Sequence, residues 1–271
     1  MKERNRLAII GAGNIGTAIA NGLLEAGIYQ PDELTLTRKK IDLLESFRKR
    51  GCQIEDDNVK AIEQANIVLI AVEPQQFDKL MTEIAESFND GSKLIISVVS
   101  GVSIKQIKSK VKENTPVVRA MPNTAIAVRE SMTCIAAWES DQKAFEDAKQ
   151  IFDTVGITLE IREEQMTAAT ALGACGIAFF LRAIRAASQG GIEIGFHSQD
   201  ALRISAQTAK GAAVLLQQMR KHPEFEVDNV TTPRGCTISG LNQLEHEGFS
   251  SAMIKGIVVS AEKAAKLYQS D

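Results

Sequence analysis

The feature that most constrains the fold is a short apolar run, Leu7–Ile10, followed at once by Gly11-Ala12-Gly13-Asn14-Ile15-Gly16. Four consecutive apolar residues suit a strand buried on both faces, and Thr17–Ala26 has helical spacing that stops at Gly27. The GxGxxG between them has a physical use at each glycine. Gly11 permits a tight turn, Gly13 lets the backbone approach a pyrophosphate, and Gly16 lets helix and strand pack closely. The helix start then offers free N–H groups to the phosphates. A ligand-free strand–helix turn is the plainer alternative, but the position at the head of a βαβ unit favours a dinucleotide.

The pattern continues through the first half. Strands are predicted at Leu34–Thr37, Ile67–Val72, Leu94–Val99, Val117–Ala120 and Thr133–Ala137. Helices are predicted at Lys39–Arg50, Phe77–Ser87, Ile104–Lys110 and Gln142–Thr154. Strands alternating with helices imply right-handed crossovers and a mainly parallel sheet, a doubly wound Rossmann domain. The character changes near Ile161. Glu163–Gln189, Ser198–Lys221, Gly240–Glu247 and Ser250–Tyr268 read as helices, with Pro223 and Pro233 in a loop between them. The predicted fold class is therefore α/β, with an N-terminal Rossmann domain over residues 1–161 and a C-terminal all-α domain over residues 162–271. The second part is rich in small residues (Ala168, Ala169, Ala171, Gly173, Ala174, Gly176, Ala178) that permit close backbone approach. Its apolar surface exceeds what so few helices can bury, so a second subunit is expected to complete it.

The end of the second predicted strand selects between nicotinamide cofactors. An acidic residue there would bind the ribose hydroxyls of NAD; this chain has Thr37-Arg38-Lys39-Lys40. A hydroxyl and cations suit a 2′-phosphate, so NADP is expected, NADPH being preferred and NAD a possible substitute. A basic first turn of a surface helix is the bland alternative, and basic residues there would oppose the macrodipole. The turns Ala71-Val72-Glu73-Pro74 and Ser97–Gly101, with Ser100, and the stretch Arg119–Thr124 leave predicted strands at the edge where ligands bind in such sheets. Asn58 joins this cofactor set.

Composition excludes other classes. The formal net charge of −3 gives no general attraction to nucleic acid. The amino end is charged and its apolar run short, and no segment approaches a membrane span, so a cytoplasmic protein is expected. Cys52, Cys134, Cys175 and Cys236 are far apart without a CxxC pair, so neither a metal site nor a disulfide framework is expected. His197, His222 and His246 lie outside every motif and are read as facing solvent.

Asp228–Leu241 is unusual for a helical domain: four hydroxyl residues, a proline and two glycines, then an amphipathic helix. Free N–H groups at that helix start can hold a carboxylate, and Thr237 offers a hydroxyl to a reacting nitrogen or oxygen. An N-capped loop between helices would look the same. The segment resembles the signature of the Δ1-pyrroline-5-carboxylate reductase family, roughly V-[ST]-S-P-G-G-x-T-x-x-G-L. Leu244-Glu245 and Gly248-Phe249 stand where the family has an acidic residue and G-F. The resemblance covers nearly the whole chain, including the GAGNIG start, Ala71–Pro74, Arg119–Thr124 and Ala171–Phe179.

The resemblance implies an NADPH-dependent reduction of the cyclic imine to L-proline, the final step of proline synthesis. It implies Thr237 at the ring nitrogen, the backbone of Gly235–Thr237 around the carboxylate, Glu163, Val230 and Cys236 in the substrate pocket, and Asn229 on the nicotinamide side. It also implies an intertwined homodimer, with a decamer as a further assembly, and neither nucleic-acid nor membrane partners. The chain departs from the family at three places. Its S-G-S-G-P-A-Y motif is Gly173–Phe179 here, its A-V-K-P turn carries Glu73, and the first paired signature glycine is Arg234. These departures keep open a non-catalytic or altered-specificity paralogue. A β-hydroxyacid dehydrogenase is the other alternative, disfavoured because the small-residue helix offers no acid–base lysine.

Overall fold

The computed structural model describes residues 6–267. Eight strands form one sheet: β1 (Leu7–Ile10), β2 (Leu34–Thr37), β3 (Gln53–Glu55), β4 (Ile67–Ile70), β5 (Leu94–Ser97), β6 (Val117–Met121), β7 (Ser131–Ala137) and β8 (Gly156–Glu160). Their order is β3-β2-β1-β4-β5-β6-β7-β8. Only β6 and β7 run antiparallel; every other neighbouring pair is parallel. The order reverses between β1 and β4, which opens the crevice typical of doubly wound sheets.

Helices cover both faces: α1 (Asn14–Ala26), α2 (Glu45–Lys49), α3 (Asn58–Glu63), α4 (Phe77–Ile84), α5 (Ile104–Lys108) and α6 (Gln142–Asp153). The strands are apolar on both sides because both sides are covered. Leu7 and Ile9 of β1 pack in one layer with Ile19 and Leu23 of α1 and Phe145 and Phe152 of α6. Ala8 and Ile10 pack in the other with Phe77, Leu80 and Met81 of α4 and Ile104 of α5. Each fully buried large side chain contributes about 1.5–3 kcal/mol relative to exposure. This two-sided burial is what holds the carboxyl ends of the strands rigid.

The structure departs from the sequence pattern at several elements. β3, α3, β8 and the helix Pro223–Asn229 are not predicted, the last lying where the sequence reads as loop. β3 and β8 are sheet edges with polar residues, and α3 is only one turn and a half, started by Asp57, whose Oδ1 accepts the N–H groups of Val59 and Lys60. The helix predicted over Lys39–Arg50 is a 3-10 turn, Ile41–Leu44, followed by α2. Arg38–Lys40 therefore lie in a loop rather than a helical first turn. Arg119, Ala120 and Met121 belong to β6 itself, not to its exit.

By its contacts the chain divides into two units. The first runs to Cys175 and takes in the residues from Ser260 on; the second is Gly176–Val259. In the first, α7 (Met166–Ala169) leads into a π-helical segment, Thr170–Cys175. The second holds α8 (Gly176–Glu193), α9 (Ser198–Met219), α10 (Pro223–Asn229) and α11 (Cys236–His246). α12 (Phe249–Ala264) begins in it and ends in the first. Tyr268, expected at the end of the last helix, lies outside the described residues. No strand follows β8 among the described residues.

Within the second unit α8 and α9 pack along each other, closely enough that a Cβ on Gly191 would stand 3.1 Å from Ala201 Cβ. Of its residues only Gly176, Ser188 and Ala201 are buried. Phe180, Ile194, Ile254 and Val259 are more than 60% exposed. A helical unit with no large buried side chain has no core of its own.

One expectation is overturned. The helical run Glu163–Glu193, 31 residues, is long and apolar enough to cross a membrane by length and composition, and 17% of its most apolar window is buried. The sequence pattern hid this because Ala and Cys interrupt the large apolar residues while still raising the mean hydropathy.

Candidate functional site

The glycine turn after β1 has the three geometries that a dinucleotide needs. Gly11 has φ +86°, and a Cβ there would come 2.6 Å from Val72 Cγ1. A Cβ on Gly16 would meet Gly11 O at 3.1 Å and Ile9 Cγ2 at 3.2 Å, so the helix lies tight on the strand. A Cβ on Gly13 would meet only Gly11 O, at 3.9 Å, so that side is open. Gly13 is also the N-cap of α1, with no side-chain cap and no acidic residue in the first turn. The orphan N–H groups of Asn14, Ile15 and Gly16 are thus left to an anion. Ala12 is buried beneath the turn.

The end of β2 braces this turn. Ala12 N–H donates to Thr37 O at 2.7 Å, and Gly11 N–H donates to Thr37 Oγ1 at 3.3 Å. The Thr37 hydroxyl donates to Asn58 Oδ1 at 2.7 Å, and Asn58 Nδ2 donates to Glu83 Oε1 at 3.0 Å. Thr37 is 1% exposed, so its hydroxyl faces inward and serves the turn. Arg38 Nη1 donates to Ala12 O at 3.3 Å, while Lys39 and Lys40 are exposed. The polar surface beside the turn is therefore cationic.

The neighbouring strand ends close the crevice. Ala71 N–H donates to Ile10 O at 2.8 Å, and Val98 N–H to Ile70 O at 3.0 Å. Ala71 is buried, Val72 half-buried and Glu73 exposed; Pro74 opens a 3-10 turn, and Ser100 is half-buried. Of these residues, Ala71 and Val72 stand directly against Gly11.

Glu163 is held by two donors. Its Oε1 accepts the Ile104 N–H at 2.6 Å and Arg119 Nη1 at 3.1 Å. Burial pushes the Arg119 guanidinium down, and the hydrogen bond and charge of Glu163 oppose the shift. The family resemblance singles out Glu163 but not its partner Arg119. The available signal was a cation inside an otherwise apolar strand, which requires a counter-charge. Nearby, Asn123 Nδ2 donates to Gly173 O at 3.4 Å, in the π-helical segment that carries the start of Gly173–Phe179. Such segments recur at functional sites.

The loop before α11 forms a second group within its own unit. Asn229 Nδ2 donates to Glu226 Oε2 at 3.3 Å, and Val230 is 63% exposed. Arg234 adopts a left-handed φ of +61°, a conformation suited to the glycine the family signature has there. Gly235 N–H donates to Thr232 O at 2.9 Å, and a Cβ on Gly235 would collide with Thr232 Oγ1. Gly235 is the N-cap of α11 and has no side-chain cap. The capping alternative for Thr237 is therefore not realised. Its hydroxyl has no hydrogen-bond partner among the described residues. Cys236 opens α11 and is exposed, and Cys175 is half-buried; Cys52 and Cys134 pack as buried small groups. His197, His222 and His246 are exposed in the single chain.

Known proteins match both regions. Residues 163–267 match the family described as pyrroline-5-carboxylate reductase dimerisation, and residues 6–101 match NADP oxidoreductase coenzyme F420-dependent. The chain is 51% identical over 276 residues to pyrroline-5-carboxylate reductase 1 of Dictyostelium discoideum. That match covers 97% of this chain and 50% of that protein, so the chain spans half the length of that relative. It is 45% identical to pyrroline-5-carboxylate reductase 2 of the same organism, over 98% of this chain and 94% of the relative. A crystal structure of the Plasmodium falciparum pyrroline carboxylate reductase with NADP bound superposes with TM-score 0.87 at 25% identity, covering 98% and 99% of the two chains.

Proposed function

The chain belongs to the pyrroline-5-carboxylate reductase family, and from that premise we propose that it reduces Δ1-pyrroline-5-carboxylate to L-proline with NADPH. The observation that carries the reading is the Pro233–Thr237 loop, where a helix start without a side-chain cap stands beside a hydroxyl that has no hydrogen-bond partner among the described residues.

The backbone of Gly11–Gly16 would hold the diphosphate, with Arg38 and Lys39 at the 2′-phosphate. Thr37 and Asn58 fix the turn; Ala71–Pro74 and Ser100 would serve the nicotinamide, and the family resemblance would add Asn229. NADPH, when bound, supplies the hydride that adds to C5 of the protonated imine. The first-turn N–H groups of α11, around Gly235–Thr237, clamp the substrate carboxylate. The Thr237 hydroxyl can donate or accept, so it follows the ring nitrogen from iminium to amine. By the family resemblance, Glu163, Val230 and Cys236 would belong to the substrate-binding set. No nucleophile is required; orientation and preorganised polar groups supply the rate.

The chain carries a dimerisation region. In the same proposal two copies intertwine through it, supported by a helical unit that buries no large side chain of its own, and dimers assemble further as a decamer. The cofactor domain is taken as residues 1–161 and the helical domain as 162–271, supported by a dimerisation match that begins at residue 163. The enzyme is cytoplasmic and has neither membrane nor nucleic-acid partners. The long apolar helix found among the described residues falls inside the dimerisation match, which supports a protein partner for it.

NADPH oxidation that begins on adding the imine, with L-proline formed in equal amount, is the expected result. Oxidation of a β-hydroxyacid instead would favour the other reductase class. Cofactor binding without turnover of either would favour a non-catalytic paralogue.

Arg38→Ala should raise KM for NADPH by roughly 10- to 100-fold and leave NADH little changed. That range corresponds to one charge-assisted hydrogen bond of about 1.5–3 kcal/mol. Equal losses with both cofactors would show that Arg38 only supports the Ala12 carbonyl.

A further inference from the structure

Arg119 is the one buried cation of β6, and the roles assigned above do not use it. Its neighbours on the strand, Val118 and Ala120, are fully buried, and it stands in register between Ser97 of β5 and Ala136 of β7. Its side chain is 7% exposed. A guanidinium in such surroundings is strongly unfavourable unless it is paired. Its partner is Glu163, whose carboxylate is held from three elements. β6 supplies Arg119 Nη1. The first residue of α5 supplies the Ile104 N–H. The 3-10 turn Glu163–Gln165 supplies the stem, and that turn is itself fixed by Gln165 Oε1 accepting the Arg162 N–H.

Both bonds fall on the same oxygen, Oε1. Two donors converging on Oε1 fix that oxygen, and Oε2 accepts no hydrogen bond among the described residues. Glu163 keeps 23% of its side chain exposed while Arg119 is closed off. The unbonded Oε2 of this partly exposed side chain has an acceptor to offer a ligand. The arrangement differs from an ion pair that only stabilises the sheet, because it buries one partner and presents the other.

We propose that Arg119 is a positioning residue of the substrate site: gripping Glu163 Oε1 jointly with the Ile104 N–H, it aims the Glu163 carboxylate at the substrate. The proposal rests on the assignment of Glu163 to the substrate pocket. Arg119 touches neither substrate nor cofactor, and every effect it has on turnover passes through Glu163.

The test is a double-mutant cycle on the full-length enzyme, using Glu163→Gln, Arg119→Lys, Arg119→Met and the pair Arg119→Met with Glu163→Gln. The melting temperature and the KM for each substrate are measured for all four. Arg119→Met should raise KM for the imine at least tenfold and leave KM for NADPH within twofold. Arg119→Lys, which keeps the charge without the planar fork, should recover part of the loss. The double variant should be no worse than the poorer single variant, because both changes remove the same contact. If Arg119→Met does not fold, the cycle is completed with Arg119→Lys. A folded Arg119→Lys with unchanged KM for the imine overturns the proposal, and so do losses that multiply in the double variant. Wild-type enzyme that binds NADPH but never reduces the imine overturns instead the functional reading on which the proposal rests.

Discussion

Thr237→Ala is expected to lower kcat with saturating NADPH by about 10²-fold, the usual loss for one preorganised hydrogen-bonding group that acts in the transition state. KM for NADPH should stay close to the wild-type value. The bland competitor is a helix cap, whose removal costs about 1 kcal/mol of stability and leaves kinetics alone. The structure separates the two. The cap position is Gly235, and the Thr237 hydroxyl bonds to nothing among the described residues. Truncating a hydroxyl without partners should change stability by no more than about 0.5 kcal/mol. Thr237→Ser keeps the hydroxyl and should keep most of the turnover. A lowered melting temperature with unchanged kcat in the alanine variant would assign Thr237 to structure instead.

The second large effect is on assembly. Ile254 and Val258 stand four residues apart on one face of α12, and both are at least half exposed in the single chain. Replacing both with Asp should abolish the dimer at micromolar concentration and take all measurable activity with it. Each apolar side chain buried between copies contributes about 1.5–3 kcal/mol, and a two-fold interface counts each substitution twice. Two carboxylates on each copy would also have to leave water without partners. Lys255→Ala, on an exposed neighbour, is the control and should leave assembly intact. Light scattering reports the mass of each variant directly. A double Asp variant that remains a dimer with full activity would contradict the interface.

Much of the cofactor half is legible in the sequence because its signals are local. β1, the glycine turn and α1 are contiguous, and the alternation of Leu7 and Ile9 with Ala8 and Ile10 already assigns residues to two layers. The direction of the Thr37 hydroxyl is not legible. It depends on Asn58, which sits on a helix too short to show a period. β3 and β8 are also hidden. An edge strand is covered on fewer sides, so Gln53-Ile54-Glu55 and Gly156–Glu160 can carry polar residues without penalty. The pair of Arg119 and Glu163 joins residues 44 apart in sequence, and no local pattern encodes such a contact. The helical region shows the opposite limit. Its composition announces unburied apolar surface, but composition alone does not distinguish a second subunit from a bilayer along Glu163–Glu193. The match of residues 163–267 to a dimerisation family supplies what the single chain lacks.

The central claim is a hydride transfer from the nicotinamide to the imine carbon, and isotope transfer tests it most directly. The enzyme is given NADPH deuterated at C4, on the pro-R or the pro-S side in separate reactions, together with unlabelled pyrroline-5-carboxylate. L-proline should carry deuterium at C5 from one of the two labelled cofactors and be unlabelled from the other. Imine consumed without NADPH oxidation, or L-proline unlabelled in both reactions, would contradict it.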